Sequence, residues 1–249
     1  MSAKPSLRLD GELNSPAAKR DYNERLFTEV APRYDLITRL LSFGCDGFWK
    51  RKLVSLLPKL PSPRCVDVAC GTGDFVRLLR ERYAEADITG VDLTESMLER
   101  ARARLATANV RFVKGDMSRL EAADGTVDVL TGGYALRNAP DLAVFLAEAN
   151  RVLKLDGVAA FLDFRRPDSK VLAGLHFFLI KMWGGFWGYL FHGDPHVYGY
   201  IAESLMRYPP EAQLHELFRR QGFRLEHTRR PFFGMVEIIV ARKITEAGR

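Results

Sequence analysis

The run Cys65-Val66-Asp67-Val68-Ala69-Cys70-Gly71-Thr72-Gly73-Asp74 carries an apolar strand into a glycine turn, and Gly90-Val91-Asp92 ends a second strand on a carboxylate. Glycines at a strand end let backbone N–H groups approach a ligand closely, and an acid about 20 residues later can hold both hydroxyls of a ribose. A dinucleotide fold needs a third glycine. Val76 stands in its place, and the Asp74 carboxylate would repel a pyrophosphate. A sulfonium is a cation without phosphate, so an acidic turn suits it. The two elements therefore read as a pocket for S-adenosylmethionine, with Asp67, Ala69, Gly71, Thr72, Gly73, Asp92, Leu93 and Met97 as expected contacts. A third element, Gly115-Asp116-Met117, follows an expected strand at 110–113. There Asp116 can accept from an adenine amino group and Met117 can cover the ring, although an ordinary turn with a helix cap would use the same residues. Gly133, ending the fourth strand, would pass the methionine portion of the donor without side-chain obstruction.

These residues sit in a chain suited to hold them. With 249 residues, 47% of them hydrophobic, it can bury a full core as a single domain. The three cysteines, Cys45, Cys65 and Cys70, have neither disulfide nor metal-ligand spacing, so no metal is expected. Residues 1–20 lack the apolar run of a signal peptide, which places the protein in the cytoplasm. A net charge of +6 would favour an anionic membrane surface or nucleic acid, or form a solvated face. The basic residues are scattered and carry no RNA-stacking motif, so no nucleic-acid partner is expected. A homodimer is compatible with the sequence and not required by it.

Helical periodicity through Leu26, Phe27, Val30, Tyr34, Ile37, Leu40 and Leu41 predicts a helical cap over 18–57, closed by Pro58, Pro61 and Pro63. The cofactor core over 64–164 alternates strands at 65–69, 87–91, 110–113, 127–132 and 158–164 with helices at 74–83, 95–106 and 141–153. Leu155-Asp156-Gly157 reads as a loop. The rhythm is α/β: a mostly parallel, Rossmann-like sheet of the class I methyltransferase type, with helices on both faces. A hydrophobic insertion over 165–210 precedes a C-terminal helix and hairpin over 211–242, whose strands at 223–229 and 235–242 flank Pro231-Phe232-Phe233-Gly234. Within the insertion, Val171 to Phe191 is long enough for a membrane span. The central Lys181, the Gly184-Gly185 pair and its position between core strands favour a lid helix instead, with Trp183 and Trp187 at a bilayer interface.

Narrower motifs add a resemblance. Val30-Ala31-Pro32-Arg33-Tyr34-Asp35, Ser42-Phe43-Gly44, Trp49-Lys50, Gly133-Tyr134-Ala135-Leu136-Arg137-Asn138, Tyr198 to Ser204 and Gly222-Phe223 resemble the ubiquinone/menaquinone biosynthesis C-methyltransferases over about Val30 to Arg242. The resemblance implies methyl transfer to a ring carbon of a polyprenylated quinol such as demethylmenaquinol. The chain departs from it where Tyr134-Ala135 replaces a Phe-Gly pair, and where Trp183-Gly184-Gly185 lacks a proline.

A quinol carbon becomes a strong nucleophile only as a neighbouring hydroxyl loses its proton, and a phenol with a pKa near ~10 keeps that proton at neutral pH. The Arg137 guanidinium is a poor base but can steady the oxyanion or polarise a water. Asn138 can orient that water or the ring oxygen, and Tyr34 is expected to complete the relay, as the resemblance implies. Each has a plainer alternative: an Arg137–Asp141 pair, an Asn138 helix cap, Tyr34 as packing. His192 or His196 could serve as a base in this chain. A small-molecule O-methyltransferase, and a non-catalytic cofactor-binding scaffold in a quinone-biosynthesis assembly, remain open as other functions.

Overall fold

The structure, a computed structural model, describes residues 15–106, 109–192 and 199–245. The first helix, α1 (Pro16–Val30), starts where the Ser15 hydroxyl accepts from the Ala18 N–H and proline occupies a position whose N–H has no helical partner. A 3-10 turn leads to α2 (Tyr34–Leu41), then α3 (Asp46–Ser55), completing the cap. The core follows as β1 (Arg64–Val68), α4 (Asp74–Arg82), β2 (Asp87–Asp92), α5 (Glu95–Arg104), β3 (Arg111–Lys114), β4 (Val127–Gly133), α6 (Ala135–Asn138), α7 (Leu142–Val152) and β5 (Leu153–Phe164). After it come α8 (Lys170–His192), α9 (Gly199–Arg207), α10 (Glu211–Arg220), β6 (Phe223–Arg229) and β7 (Val236–Lys243).

The seven strands form one sheet in the order β3-β2-β1-β4-β5-β7-β6. Only β7 runs against its neighbours, pairing antiparallel with both β5 and β6. Chain order reverses between β1 and β4, and the crevice beyond their carboxyl ends is where such sheets bind ligands. Side-chain alternation builds two cores. On one face Val66, Leu130, Phe161 and Ile239 meet α7, α9 and α10; on the other Cys65, Val129, Leu162 and Ile238 meet α3 and α4.

The expected elements appear with small shifts, and one expectation needs correction. Leu155-Asp156-Gly157 is not a free loop but a bulge inside β5. Asp156 takes φ 64°, and the register jumps from Val127–Leu153 to Val129–Val158. The Gly184-Gly185 pair lies inside an unbroken 23-residue helix. Trp183 and Trp187 are half-buried: Trp183 stacks on Phe43 at 4.7 Å, and Trp187 stacks on Phe191 of the same helix at 5.5 Å.

Phe161 locks the sheet to its helical layer, with ring centroids 5.7 Å from Phe145 and 5.9 Å from Phe218. Truncating a buried phenylalanine to alanine costs about 3–5 kcal/mol. Phe161→Ala is therefore expected to lower the free energy of unfolding from urea titration by that amount, with a lower midpoint and an unchanged m-value; a loss below about 1 kcal/mol would contradict this packing.

Candidate active site

Two chambers open at the carboxyl edge of the sheet. The first, about 640 Å³, has a floor made by strand ends: Ala69 and Gly71 after β1, Asp92, Leu93, Thr94 and Met97 after β2, Gly115, Asp116 and Met117 after β3, and Gly133 of β4. Its roof is Arg20, Asn23 and Phe27 of α1. The second, about 780 Å³, is walled by α1, α2, Trp49, Phe164, Tyr200, Ile201 and Phe232, with Arg137 as its charged side chain. Phe27, Tyr34 and Asn138 line both. A molecule in one chamber can thus touch a molecule in the other.

The first chamber fits an adenosyl sulfonium. Asp92 Oδ2 accepts from the Gly71 N–H at 2.7 Å and Oδ1 from the Thr94 N–H at 2.9 Å, fixing a carboxylate beside the glycine turn. Burial raises its pKa, and these N–H bonds oppose the rise. A Cβ on Gly133 would stand 2.8 Å from Phe75 Cε2, so any larger residue there has to displace that buried ring. Asp116 lines the chamber while its Oδ1 also accepts from the Ser118 N–H at 2.8 Å, so the turn reading holds alongside the site reading.

Asp67, Thr72 and Gly73 are not among the lining residues, and each has a structural task instead. Gly73 takes φ 85° as the N-cap of α4. The Thr72 hydroxyl donates to Asp35 Oδ1 at 2.6 Å, tying the turn to α2. Asp67 is buried, with Oδ1 accepting from the Thr131 hydroxyl at 2.7 Å and Oδ2 unpaired.

At the end of β4, Tyr134 adopts φ 57°, and the short helix α6 then presents Arg137 and Asn138. Strain of this kind persists only where surrounding structure enforces it. Here the Tyr134 hydroxyl donates to Asp46 Oδ1 at 2.7 Å. Asp46 and Asp74 both pair with buried Lys50, at 2.6 and 2.7 Å. Burial works against the Lys50 ammonium, yet the two carboxylates hold its pKa above the ordinary value. The tyrosine that departs from the Phe-Gly pattern has thereby gained a hydrogen-bond partner.

Arg137 is 4% exposed. Asp163, at the end of β5, accepts from the Arg137 backbone N–H at 2.9 Å and lies 3.6 Å from its Nε. The guanidinium also donates to the Ser204 hydroxyl and faces the rings of Phe164 and Tyr200, each at 5.6 Å. Asp141 does not pair with Arg137; its side chain caps α7 by accepting from Ala143 and Val144 N–H groups. Asn138 caps nothing either: its Nδ2 donates to the Tyr134 carbonyl at 2.7 Å. Tyr34 stands at the junction of the chambers, its pKa pushed up to about 12 by burial. The tyrosine hydrogen-bonded to Asn138 is Tyr200, at 3.0 Å, rather than Tyr34. His196 lies outside the described residues, as does the side chain of His192.

Sequence reasoning missed Asp163, Ser204, Asn23 and Thr94. An acid inside the apolar run Phe161-Leu162-Asp163-Phe164 was the available signal for the first, and Thr94 stands only two residues after Asp92; Ser204 and Asn23 become visible only when distant segments meet. Among the described residues, Glu211, His215 and Glu237 could gather around a metal ion. However, Arg165 and Arg230 already neutralise Glu211, and His215 bonds Glu237 at 2.8 Å, which makes an ion-pair knot away from both chambers.

The profile of the ubiE/COQ5 methyltransferase family matches residues 16–243. The chain belongs to the ubiE/COQ5 methyltransferase family. It is 36% identical over 200 residues to a demethylmenaquinone methyltransferase of Thermotoga maritima, covering 80% of this chain and 86% of that one. It is 32% identical over 215 residues to the ubiquinone/menaquinone biosynthesis C-methyltransferase UbiE of Desulfotalea psychrophila, covering 86% and 87%. In fold it resembles a putative methyltransferase of Bacillus halodurans, with TM-score 0.62 and 18% identity over 79% of this chain and 99% of that one. As a ubiE/COQ5 methyltransferase, the enzyme takes its methyl group from S-adenosylmethionine. The class I Rossmann-like fold expected from the sequence is the observed one.

Beneath the donor chamber of this ubiE/COQ5 enzyme, burial pushes the Asp67 carboxyl up to about 8 from 3.8, against the Thr131 hydrogen bond. Below pH ~4 folded and unfolded chains both hold the proton. Between pH ~4 and ~8 only the folded chain keeps it, so the Asp67 contribution falls as pH rises and has been lost above pH ~8. Asp67→Asn, which cannot ionise, is expected to gain in stability relative to the unsubstituted protein between about pH 5 and about pH 8. Urea midpoints at both values check this; a constant difference would contradict it.

Proposed function

We propose that the enzyme methylates a ring carbon of a polyprenylated quinol, with demethylmenaquinol as the leading substrate. The observation that carries this reading is one buried guanidinium, Arg137, on the wall of an apolar chamber that shares three side chains with the donor chamber. The relatives named for demethylmenaquinone or quinone methylation support the substrate class.

S-adenosylmethionine supplies an electrophilic methyl group. The chain's residues must make the acceptor carbon nucleophilic and aim it. Arg137 steadies negative charge on the ring oxygen as its hydroxyl proton leaves, and a donor fixed in advance costs no reorganisation at that moment. Asp163 fixes the guanidinium from behind. Asn138 orients the ring oxygen from its place between the chambers, Tyr34 bounds the acceptor where they join, and apolar walls exclude water. Alignment within the shared wall contributes further by fixing the reacting groups beforehand. The hydroxyl proton passes to a water that Arg137 polarises, the guanidinium itself being too weak a base to take it. Asp92 holds the ribose, with Asp116 and Met117 at the adenine.

A prenyl tail is drawn from a bilayer, and α8 suits that surface. Its inner side, with Ile180, Trp183 and Trp187, rests on the protein, while its outer side exposes Val171, Leu175, Phe178, Met182, Phe186 and Tyr189. A helix apolar all round and covered on one side only leaves a face for lipid. Phe43, Phe48 and Phe233 add further exposed aromatic residues. The enzyme would then work from the cytoplasm as a peripheral membrane protein.

Two experiments follow. With labelled donor and reduced naphthoquinols, Arg137→Ala should lower kcat about 100-fold or more while affinity for S-adenosylhomocysteine by calorimetry stays within about twofold. A C-methylated product by NMR supports the reading, and an O-methylated product, normal turnover in the variant or lost donor binding would reject it. In flotation with anionic phospholipid vesicles, the enzyme should rise with lipid and Phe178→Glu/Phe186→Glu should not, with turnover falling on long-tailed quinol in vesicles but not on short-tailed quinol in solution. Equal flotation of both proteins would exclude α8 as the contact.

A further inference from the structure

Asn23 of α1, Asn138 of α6 and Tyr200 of α9 meet in a buried cluster, and their hydrogens do not match their acceptors. Each amide is held in one orientation. Asn138 Nδ2 donates to the Tyr134 carbonyl at 2.7 Å, and Asn23 Nδ2 donates to the Asn138 carbonyl at 2.9 Å. Turning either amide round would set oxygen against oxygen. Both Oδ1 atoms therefore face the Tyr200 hydroxyl, Asn23 at 2.5 Å and Asn138 at 3.0 Å. That hydroxyl has one hydrogen to give. The shorter contact assigns it to Asn23, which leaves Asn138 Oδ1 as an acceptor with unspent capacity, on a residue that lines both chambers. Burial pushes Tyr200 up to about 12, so the group remains a neutral donor of a single hydrogen near neutral pH.

We propose that Asn138 Oδ1 reads the oxidation state of the acceptor: it takes a hydrogen bond from the quinol hydroxyl that stays protonated, not the one ionised beside Arg137, and opposes the corresponding carbonyl oxygen of the matching quinone. Asn23 is a positioning residue in this scheme, because it draws the Tyr200 hydrogen away from Asn138. The inference rests on the quinol reading above and adds the residues that select the reduced form. Selection of this kind is effective because a buried acceptor facing another acceptor keeps its full desolvation penalty. It also keeps the oxidised quinone from occupying a chamber whose apolar walls would hold either form.

The test is the ratio of quinone to quinol dissociation constants, measured anaerobically on the complex with S-adenosylhomocysteine. The probes are a short-tailed 2-prenyl-1,4-naphthoquinol and its quinone. The unsubstituted enzyme should prefer quinol by about tenfold or more. In Asn23→Ala the Tyr200 hydrogen turns to Asn138, and the preference should fall about fivefold or more. Tyr200→Phe removes the competing hydrogen and should keep the preference. The decisive arm is Asn23→Ala/Tyr200→Phe, in which the preference should return, since no hydrogen is left to compete. Purely structural damage would instead weaken both ligands together in each single variant and add in the double one. Absence of preference in the unsubstituted enzyme, an unchanged ratio in Asn23→Ala, or no recovery in the double variant would overturn the proposal. Methylation of the quinol is assayed in parallel: its absence rejects the quinol reading, while the binding ratio separately decides the role of Asn138.

Discussion

A positive charge kept nearly dry is the constraint around which this enzyme is arranged. Removing a guanidinium from water costs several kcal/mol unless opposite charge and hydrogen bonds accompany it. Asp163 supplies the charge from the end of β5, and the Ser204 hydroxyl and two aromatic faces complete the surroundings. Burial raises the Asp163 pKa, and Arg137 is the first influence that opposes the rise, so each group makes the other more tolerable. Replacing one partner alone strands the other, which makes the pair a single unit of structure.

That unit is roofed from the N-terminal side. Lys19 Nζ donates to the carbonyls of Arg137 and Ala139 at 2.9 and 2.6 Å, and Asn23 reaches the carbonyl of Asn138. Thr72 and Asp35 make a further tie between the glycine turn and α2. The cap is thus part of the wall between donor and acceptor, and Phe27 and Tyr34 belong to both sides of it.

The sequence was legible where chemistry is local. The turn at Ala69 and Gly71, the acid at Asp92 and the Asp116-Met117 pair each follow a strand whose apolar pattern marks its own end, and all five line one chamber. Arg137 and Asn138 were legible through the resemblance carried by Gly133-Tyr134-Ala135-Leu136-Arg137-Asn138. Asp67, Thr72 and Gly73 were harder to place, because proximity in sequence to a turn does not say which side chains face the ligand: Thr72 turns to α2 and Asp67 to Thr131. Orientation around α8 was equally hidden, since its apolar residues run nearly all round it and give no period to read; Trp183 and Trp187 are half-buried while Phe178, Met182 and Phe186 are exposed. Asp163 and Tyr200 acquire their roles only from contacts between distant segments.

The contact between Asn23 and Tyr200 spans 177 residues of chain. Synthesis proceeds from the N-terminus, so the first helix emerges long before the residue that it must meet. A nascent fragment ending short of α9 lacks Tyr200, Ile201 and Phe232, so it has neither the walls of the acceptor chamber nor a partner for the Asn23 amide oxygen. The acceptor chamber is therefore completed only after most of the chain has been made.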